Sequence, residues 1–279
     1  MRSIVTAAML LAAASPSFGG GAIPFGPHPL PCRDVEHLAD DYVVCSFEPA
    51  RYRVDLHLRG GNGRPHGSIR ALKREIGEVA MAMNAGMYHA DLSPVGLYVE
   101  HGRETAPLVT SGGWGNFYLL PNGVFLVRED GDGAQRFEVR ETLAFAAGRP
   151  ADVVHATQSG PMLVIDGRLH PRFLPRSDSL KVRNGVGVSG DGTVHFAISR
   201  GRVRFHDFGT LFRDVIGARD ALFLDGSIST FEAGDRRRGA ITRIGPIVTV
   251  RERKEARPAG AGRAPASPSG SEGPKAMGE

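Results

Sequence analysis

Apolar and polar positions fall into short runs broken by Gly, Asp and Asn, and only rarely into stripes at helical spacing. Runs at 42–47, 53–58, 78–83, 96–100, 116–120, 123–128 and 136–140 are β-branched or otherwise apolar and bounded by turn residues, which predicts strands. The pattern resumes at 152–157, 161–165, 185–189, 194–199, 221–224 and 246–250. Gly190-Asp191-Gly192 lies between two of these runs and signals a tight hairpin, because glycine takes up the positive φ that such a turn demands. Helical spacing holds in two places. Ser68 is an N-cap for 69–76 with Gly77 as its stop, and Asp207 caps 208–216, where Leu211, Phe212, Val215 and Ile216 form the apolar side before Gly217. The expected class is α+β: a single β-rich domain with mixed or antiparallel sheet and a few helices.

Composition narrows this picture. Gly and Pro make up about a fifth of the 279 residues without a three-residue period, which excludes collagen and suits a turn-rich domain, and 41% apolar residues suffice for a sizeable core. The formal charge of +4 is shared with the two ends of the chain, so the segment between them carries little surplus. A nucleic-acid groove needs a concentrated basic patch, and no nucleic-acid partner is expected.

The ends read differently from the middle. Met1-Arg2 precedes an apolar run, 4–14, followed by small residues and a turn at 15–19, which is the pattern of a secretory signal peptide over 1–20. The run is too short to span a bilayer, and no stable membrane insertion is expected once the signal is removed. The predicted domain covers 21–250. After it, 251–279 is a charged and then Ala/Pro/Gly/Ser-rich tail that cannot bury enough apolar surface to order itself. Cys32 and Cys45 are the two cysteines, and in a periplasmic or secreted chain a pair so close in sequence is expected to form a disulfide.

Four segments place polar residues beside glycine at the ends of apolar runs, where loops on a rigid scaffold hold sites. Asn84 ends the first, with His89 in the loop behind it. In the second, Gln158-Ser159-Gly160-Pro161 can aim an amide, a hydroxyl and backbone N–H groups into one concavity. In the third, Arg183 precedes a buried-looking strand and needs an anion, which a carboxylate or a substrate phosphate would supply. In the fourth, Asp225-Gly226-Ser227 delivers a carboxylate at a sharp turn.

Taken together, Asn84-Ala85-Gly86-Met87-Tyr88-His89, Ser93-Pro94-Val95-Gly96, Gln158-Ser159-Gly160-Pro161, Arg183-Asn184-Gly185 and Leu224-Asp225-Gly226-Ser227 resemble the phosphodiester glycosidase domain family, over residues 41–250. The chain resembles its exported bacterial branch. It departs from the uncovering-enzyme pattern at Ala85 and Ser227, where further glycines are common. The resemblance implies hydrolysis of a sugar-1-phosphodiester without a cofactor, on a sugar-phosphate or glycan substrate. It assigns Asp225 and Arg183 as catalytic, and Asn84, His89, Gln158, Ser159, Gly160 and Ser227 as substrate-binding. Against this stands a non-catalytic module that binds an envelope glycan or sugar phosphate. Asn84, Gln158, Arg183 and Asp225 are expected to line one cleft.

Overall fold

The computed structural model describes residues 31–226, 228–239 and 242–253. The expected signal peptide, the tail from 254 onward and Ser227 lie outside the described residues.

Three antiparallel sheets build the domain. The first orders β1 (Cys32–His37), β2 (Asp40–Phe47), β13 (Val194–Ser199), β12 (Asn184–Ser189), β14 (Ala218–Asp225), β10 (Met162–Ile165) and β11 (Arg168–Leu169). The second orders β16 (Arg236–Arg238), β15 (Phe231–Ala233), β4 (Met81–Asn84), β17 (Ile247–Glu252) and β3 (Tyr52–His57). In the third, β6 (Arg103–Ala106) is followed by β5 (Tyr98–Glu100), β9 (Val153–Ser159), β7 (Gly123–Glu129) and β8 (Gln135–Glu141). The strand-rich expectation therefore holds, in its antiparallel form.

Alternation along the strands explains how the sheets pack. One face of each sheet enters a shared core: Val43, Cys45, Phe196 and Leu222 from the first, Val54, Leu56, Met83 and Val248 from the second, and Tyr98, Phe125 and Val127 from the third. The intervening residues face outward, where each sheet meets its own helix. Behind the first sheet, Val44, Ala221 and Phe223 pack with Phe208 of α3 (Phe205–Thr210) and with Leu211 and Phe212 of the π-helical turn, Leu211–Ile216, that continues it. Behind the second, Ala82 and Ile247 meet Ile69 and Leu72 of α1 (Ile69–Ile76). Behind the third, Val124, Leu126 and Ala156 meet Phe145 of α2 (Thr142–Ala147). Strands buried on both faces read as continuous apolar runs, which is why the sequence signal was a run more often than an alternation.

Several local expectations hold. Ser68 caps α1 by accepting from the Ala71 N–H, and Gly77 ends it. A disulfide joins Cys32 and Cys45, which are register partners across β1 and β2. Other expectations are corrected. Residues 116–120 contain a 3₁₀ turn, Asn116–Tyr118, with Phe117 buried. The helix expected at 208–216 begins earlier, with Arg204 at its N-cap, so Asp207 lies inside its first turn. Beyond Val250 the last strand continues to Glu252, where Arg251 bonds buried Asp55 at 2.7 Å, so the ordered domain extends past the expected boundary.

Candidate functional site

β4, β9 and β14 end, and β12 begins, at one place in the fold. Antiparallel pairing puts the start of β12 beside the end of β14, with Asn184 opposite Asp225, and Ser159 Oγ donates to the Leu224 carbonyl at 2.8 Å. Gly86 lets the loop after β4 approach the end of β9, because a Cβ there would stand 2.4 Å from Thr157 Oγ1 and 2.6 Å from the Gln158 carbonyl oxygen.

Two buried asparagines knit this junction. Asn184 Nδ2 donates to Asn84 Oδ1 at 2.9 Å and to the Asn84 carbonyl at 3.2 Å. Asn184 Oδ1 accepts from the Asp225 N–H at 2.8 Å, and Asn84 Oδ1 accepts from the Thr230 N–H at 2.8 Å. Both amides are wholly buried, so these bonds satisfy groups that would be costly to leave unpaired. Their joint effect is to fix Asp225. Its Oδ2 accepts from Asn84 Nδ2 at 3.3 Å and its Oδ1 from the Gly226 N–H at 2.6 Å, while its side chain stays half-buried.

Tyr88 stands close by. Its ring crosses Gly245, where a Cβ would come within 2.5 Å of the ring, and burial together with the charge of Asp225 pushes its hydroxyl pKa well up. Beside Asn84, Thr230 Oγ1 is buried without a hydrogen-bond partner among the described residues. A half-buried carboxylate oriented by Asn84 and by the Gly226 N–H, with a phenol near it, can meet a developing positive charge or take a proton from water.

The expected residues thus separate. Asn84, Ser159 and Asp225 converge, and Gly160 packs where a Cβ would meet the Phe117 carbonyl oxygen at 2.7 Å. Gln158 is corrected: its Oε1 accepts from the Leu97 and Val109 N–H groups, and its Nε2 donates to the Val109 carbonyl and Thr142 Oγ1. That amide is saturated by the protein and locks the chain around Leu97 and Val109 to the third sheet. His89 stands exposed in its loop, its backbone N–H bonded to the Ser93 carbonyl.

Arg183 is corrected as well. It is wholly buried on the helix-covered face of the first sheet, 3.5 Å from the centroid of the Phe205 ring and 5.5 Å from that of Phe223. Its Nε donates to the Val203 carbonyl and its Nη2 to that of Ser179, and burial lowers its pKa to about 10. No carboxylate among the described residues pairs with it, and Nη1 has no partner. Its guanidinium is engaged by the Val203 and Ser179 carbonyls and the Phe205 ring, and none of the bonds that fix Asp225 among the described residues involves it. Asn184 is the residue the sequence reasoning passed over, and strand parity was the signal: it shares a face with Val186, whereas Arg183 shares one with Gly185, which abuts Phe208.

Comparison with known proteins fits this arrangement. The chain is 36% identical over 187 residues to the uncharacterized protein YigE of Escherichia coli (strain K12), covering 66% of this chain and 71% of that one. Among solved structures, the catalytic domain of zebrafish N-acetylglucosamine-1-phosphodiester alpha-N-acetylglucosaminidase, auto-inhibited by its pro-peptide, shares the fold with a TM-score of 0.55 at 13% identity, over 80% of this chain and 82% of that one. A hypothetical protein from Synechocystis shares it with a TM-score of 0.52 at 13% identity, over 80% and 61% of the two chains. Residues 77–236, which include every converging residue named above, match the phosphodiester glycosidase family, and the chain belongs to it.

Proposed function

We propose that this protein is an exported hydrolase that cleaves the glycosidic bond of a sugar-1-phosphodiester, with Asp225 as its catalytic carboxylate. The observation that carries the reading is the half-buried Asp225 carboxylate, held by Asn84 and by its own turn at the meeting point of three strand ends. In this reaction the bond between the anomeric carbon and the phosphate oxygen breaks, and the phosphate leaves with the electron pair as a monoester. Such a leaving group is a stable anion and needs no proton from an acid, so the paired carboxylates of ordinary glycosidases are not required. Asp225 meets the oxocarbenium-like carbon as nucleophile or takes the proton of the attacking water, and water supplies the new hydroxyl of the sugar. Asn84 and Asn184 act by position, holding the carboxylate in one orientation.

Export is part of the proposal, to the periplasm or the medium. The apolar run at 4–14 suits a signal peptide, and the Cys32–Cys45 disulfide suits an oxidising compartment.

The test is turnover of N-acetylglucosamine-1-phosphodiesters by the wild type and Asp225→Asn. A fall in kcat of roughly a thousandfold with substrate binding retained is expected. Equal binding without product in both proteins would instead make this a glycan-binding module.

A further inference from the structure

A second charged feature lies along the same seam between the first and second sheets. Edge strand β16 carries three consecutive arginines, and alternation projects Arg236 and Arg238 from one face. With Arg200, they and Arg237 line a cavity of about 240 Å³ whose floor includes Val43, Ile198 and Phe231. This is a built recess, lined by apolar side chains of the core below and guanidinium groups above.

Its own carboxylates do not neutralise it one for one. Asp34 is shared between Arg200 and Arg236, and Asp235, largely exposed, lies 3.6 Å from Arg236. Glu232 lies 3.6 Å from Arg237 but is also taken by Lys73 at 2.5 Å. Arg238 donates to the Arg200 carbonyl at 2.6 Å and pairs with no carboxylate among the described residues. Arg236 Nε is buried without a hydrogen-bond partner among them. Each guanidinium has five donors in a fixed fork that matches phosphate oxygens, so the recess holds more aimed donors than the protein supplies acceptors.

The recess adjoins the candidate site. Ile198 in its wall is the register partner of Asn184, and Phe231 directly follows Thr230, whose N–H bonds Asn84. Register partners lie only about 4.5–5.5 Å apart at their Cα atoms, so the wall of the recess begins one strand from the asparagine pair.

We propose that the arginine recess is an anion subsite for the aglycone side of the substrate. It takes a second phosphate group, beyond the one at the scissile bond. The substrate class is then a glycan carrying phosphates at successive linkages, not a lone sugar-1-phosphodiester. This identification of the substrate rests on the hydrolase reading, whereas the anion site itself does not.

Two measurements separate these. Calorimetric titration of the full chain with inorganic tripolyphosphate should show binding that weakens about tenfold in Arg238→Met, as expected when a charge-assisted contact is lost, and that weakens as salt rises. Asp225→Asn should bind it as the wild type does, and so should Arg149→Met, whose arginine pairs with Glu104 on the third sheet. Arg238→Lys, which keeps the charge, should lie between. No binding, equal binding by wild type and Arg238→Met, or loss in Asp225→Asn overturns the site. The second measurement compares kcat/KM for a sugar-1-phosphodiester with and without a terminal phosphate on its aglycone. A preference of about tenfold for the second substrate, abolished in Arg238→Met, supports the substrate class. The absence of any preference overturns it. If neither substrate is hydrolysed the hydrolase reading falls, and the titration still decides the anion site.

Discussion

The buried polar clusters around Asp55 and around Asp225 are built in opposite ways. Around Asp55, which is 3% exposed, the carboxylate is met by two arginines and an imidazole: Arg251 at 2.7 Å, His155 at 3.5 Å and Arg53 at 3.9 Å. Burial pushes the Asp55 pKa up, but His155 and Arg251 outweigh it and hold the carboxyl well below its usual range. Around Asp225, Asn84 Nδ2 and the Gly226 N–H orient a half-buried carboxylate. The first cluster spends its electrostatics on itself and joins β3, β9 and β17. At the second, the carboxylate is oriented at a junction of strand ends and stays half-buried, which suits it to act on something else.

Breaking the first cluster should therefore damage stability, and breaking the second should damage function. The largest effect is expected for Arg251→Met, which strips a hydrogen-bonded cation from a carboxylate whose side chain is 4% exposed. A loss of about 2–3 kcal/mol is expected, below the range for a fully buried pair because Arg251 is itself 40% exposed and Arg53 remains beside the carboxylate. Denaturant unfolding measures it, and a loss below the error of that method would show that His155 and Arg53 suffice.

Acid should probe the same cluster. His57 bonds Thr249 Oγ1 at 3.0 Å, and burial lowers its pKa to about 4 despite the neighbouring Asp55 charge. Its folded value lies below its unfolded one, so the unfolded chain binds the proton first. The stability tied to neutral His57 is complete above the unfolded pKa near 6.5 and drains away as pH falls toward 4, by about 2–3 kcal/mol. His195, also lowered to about 4 by burial, adds a loss in the same direction. Replacing His57 with Gln should flatten the fall in melting temperature between pH 7 and pH 4. An unchanged pH profile would remove His57 from the account.

The contrast between the clusters was only partly legible in the sequence. Strands buried on both faces announced themselves, as at Val124–Val127 and Ala221–Leu224, because both faces demanded apolar residues. Edge strands β1, β6, β11 and β16 did not. β16 is three arginines and β1 holds one valine among charged residues, so neither shows the apolar run that marks a buried strand. In the site, glycine marked the right strand ends but carried no information on direction. Arg183 and Asn184 are adjacent, and only the register of β12 against β14 shows which of them faces Asp225. Gln158 was polar beside glycine like the others, yet its four partners come from segments whose approach no local pattern records.

Asn184→Leu sharpens the comparison from the other side. It keeps the branched shape, at a larger volume, but removes the acceptor for the Asp225 N–H and the donor to Asn84. The buried groups left unpaired should cost about 1–3 kcal/mol, and turnover should fall by roughly a hundredfold as Asp225 loses its orientation. Measured at a temperature where the variant is folded, kcat at or above a tenth of the wild-type value would mean that Asn84 alone positions the carboxylate.

Arg183→Met should have the smallest effect, although the sequence makes Arg183 the most conspicuous residue of its segment. The guanidinium is wholly buried but has no ion pair to lose among the described residues. Its Nη2 partner, the Ser179 carbonyl, belongs to an exposed residue that water can satisfy, and its Nε partner, the Val203 carbonyl, also accepts from the Lys181 N–H. Methionine retains an apolar contact with Phe205 and Phe223 and removes a charge whose burial already lowers its pKa. The lost hydrogen bonds and the relieved desolvation nearly offset each other, leaving a stability change within about 1 kcal/mol. Turnover should change by less than about tenfold, with no bias between phosphodiester and neutral-sugar binding. A selective loss of phosphodiester affinity in Arg183→Met would mean that the helix behind the first sheet moves aside to admit substrate. The functional region would then extend through the sheet to its far face.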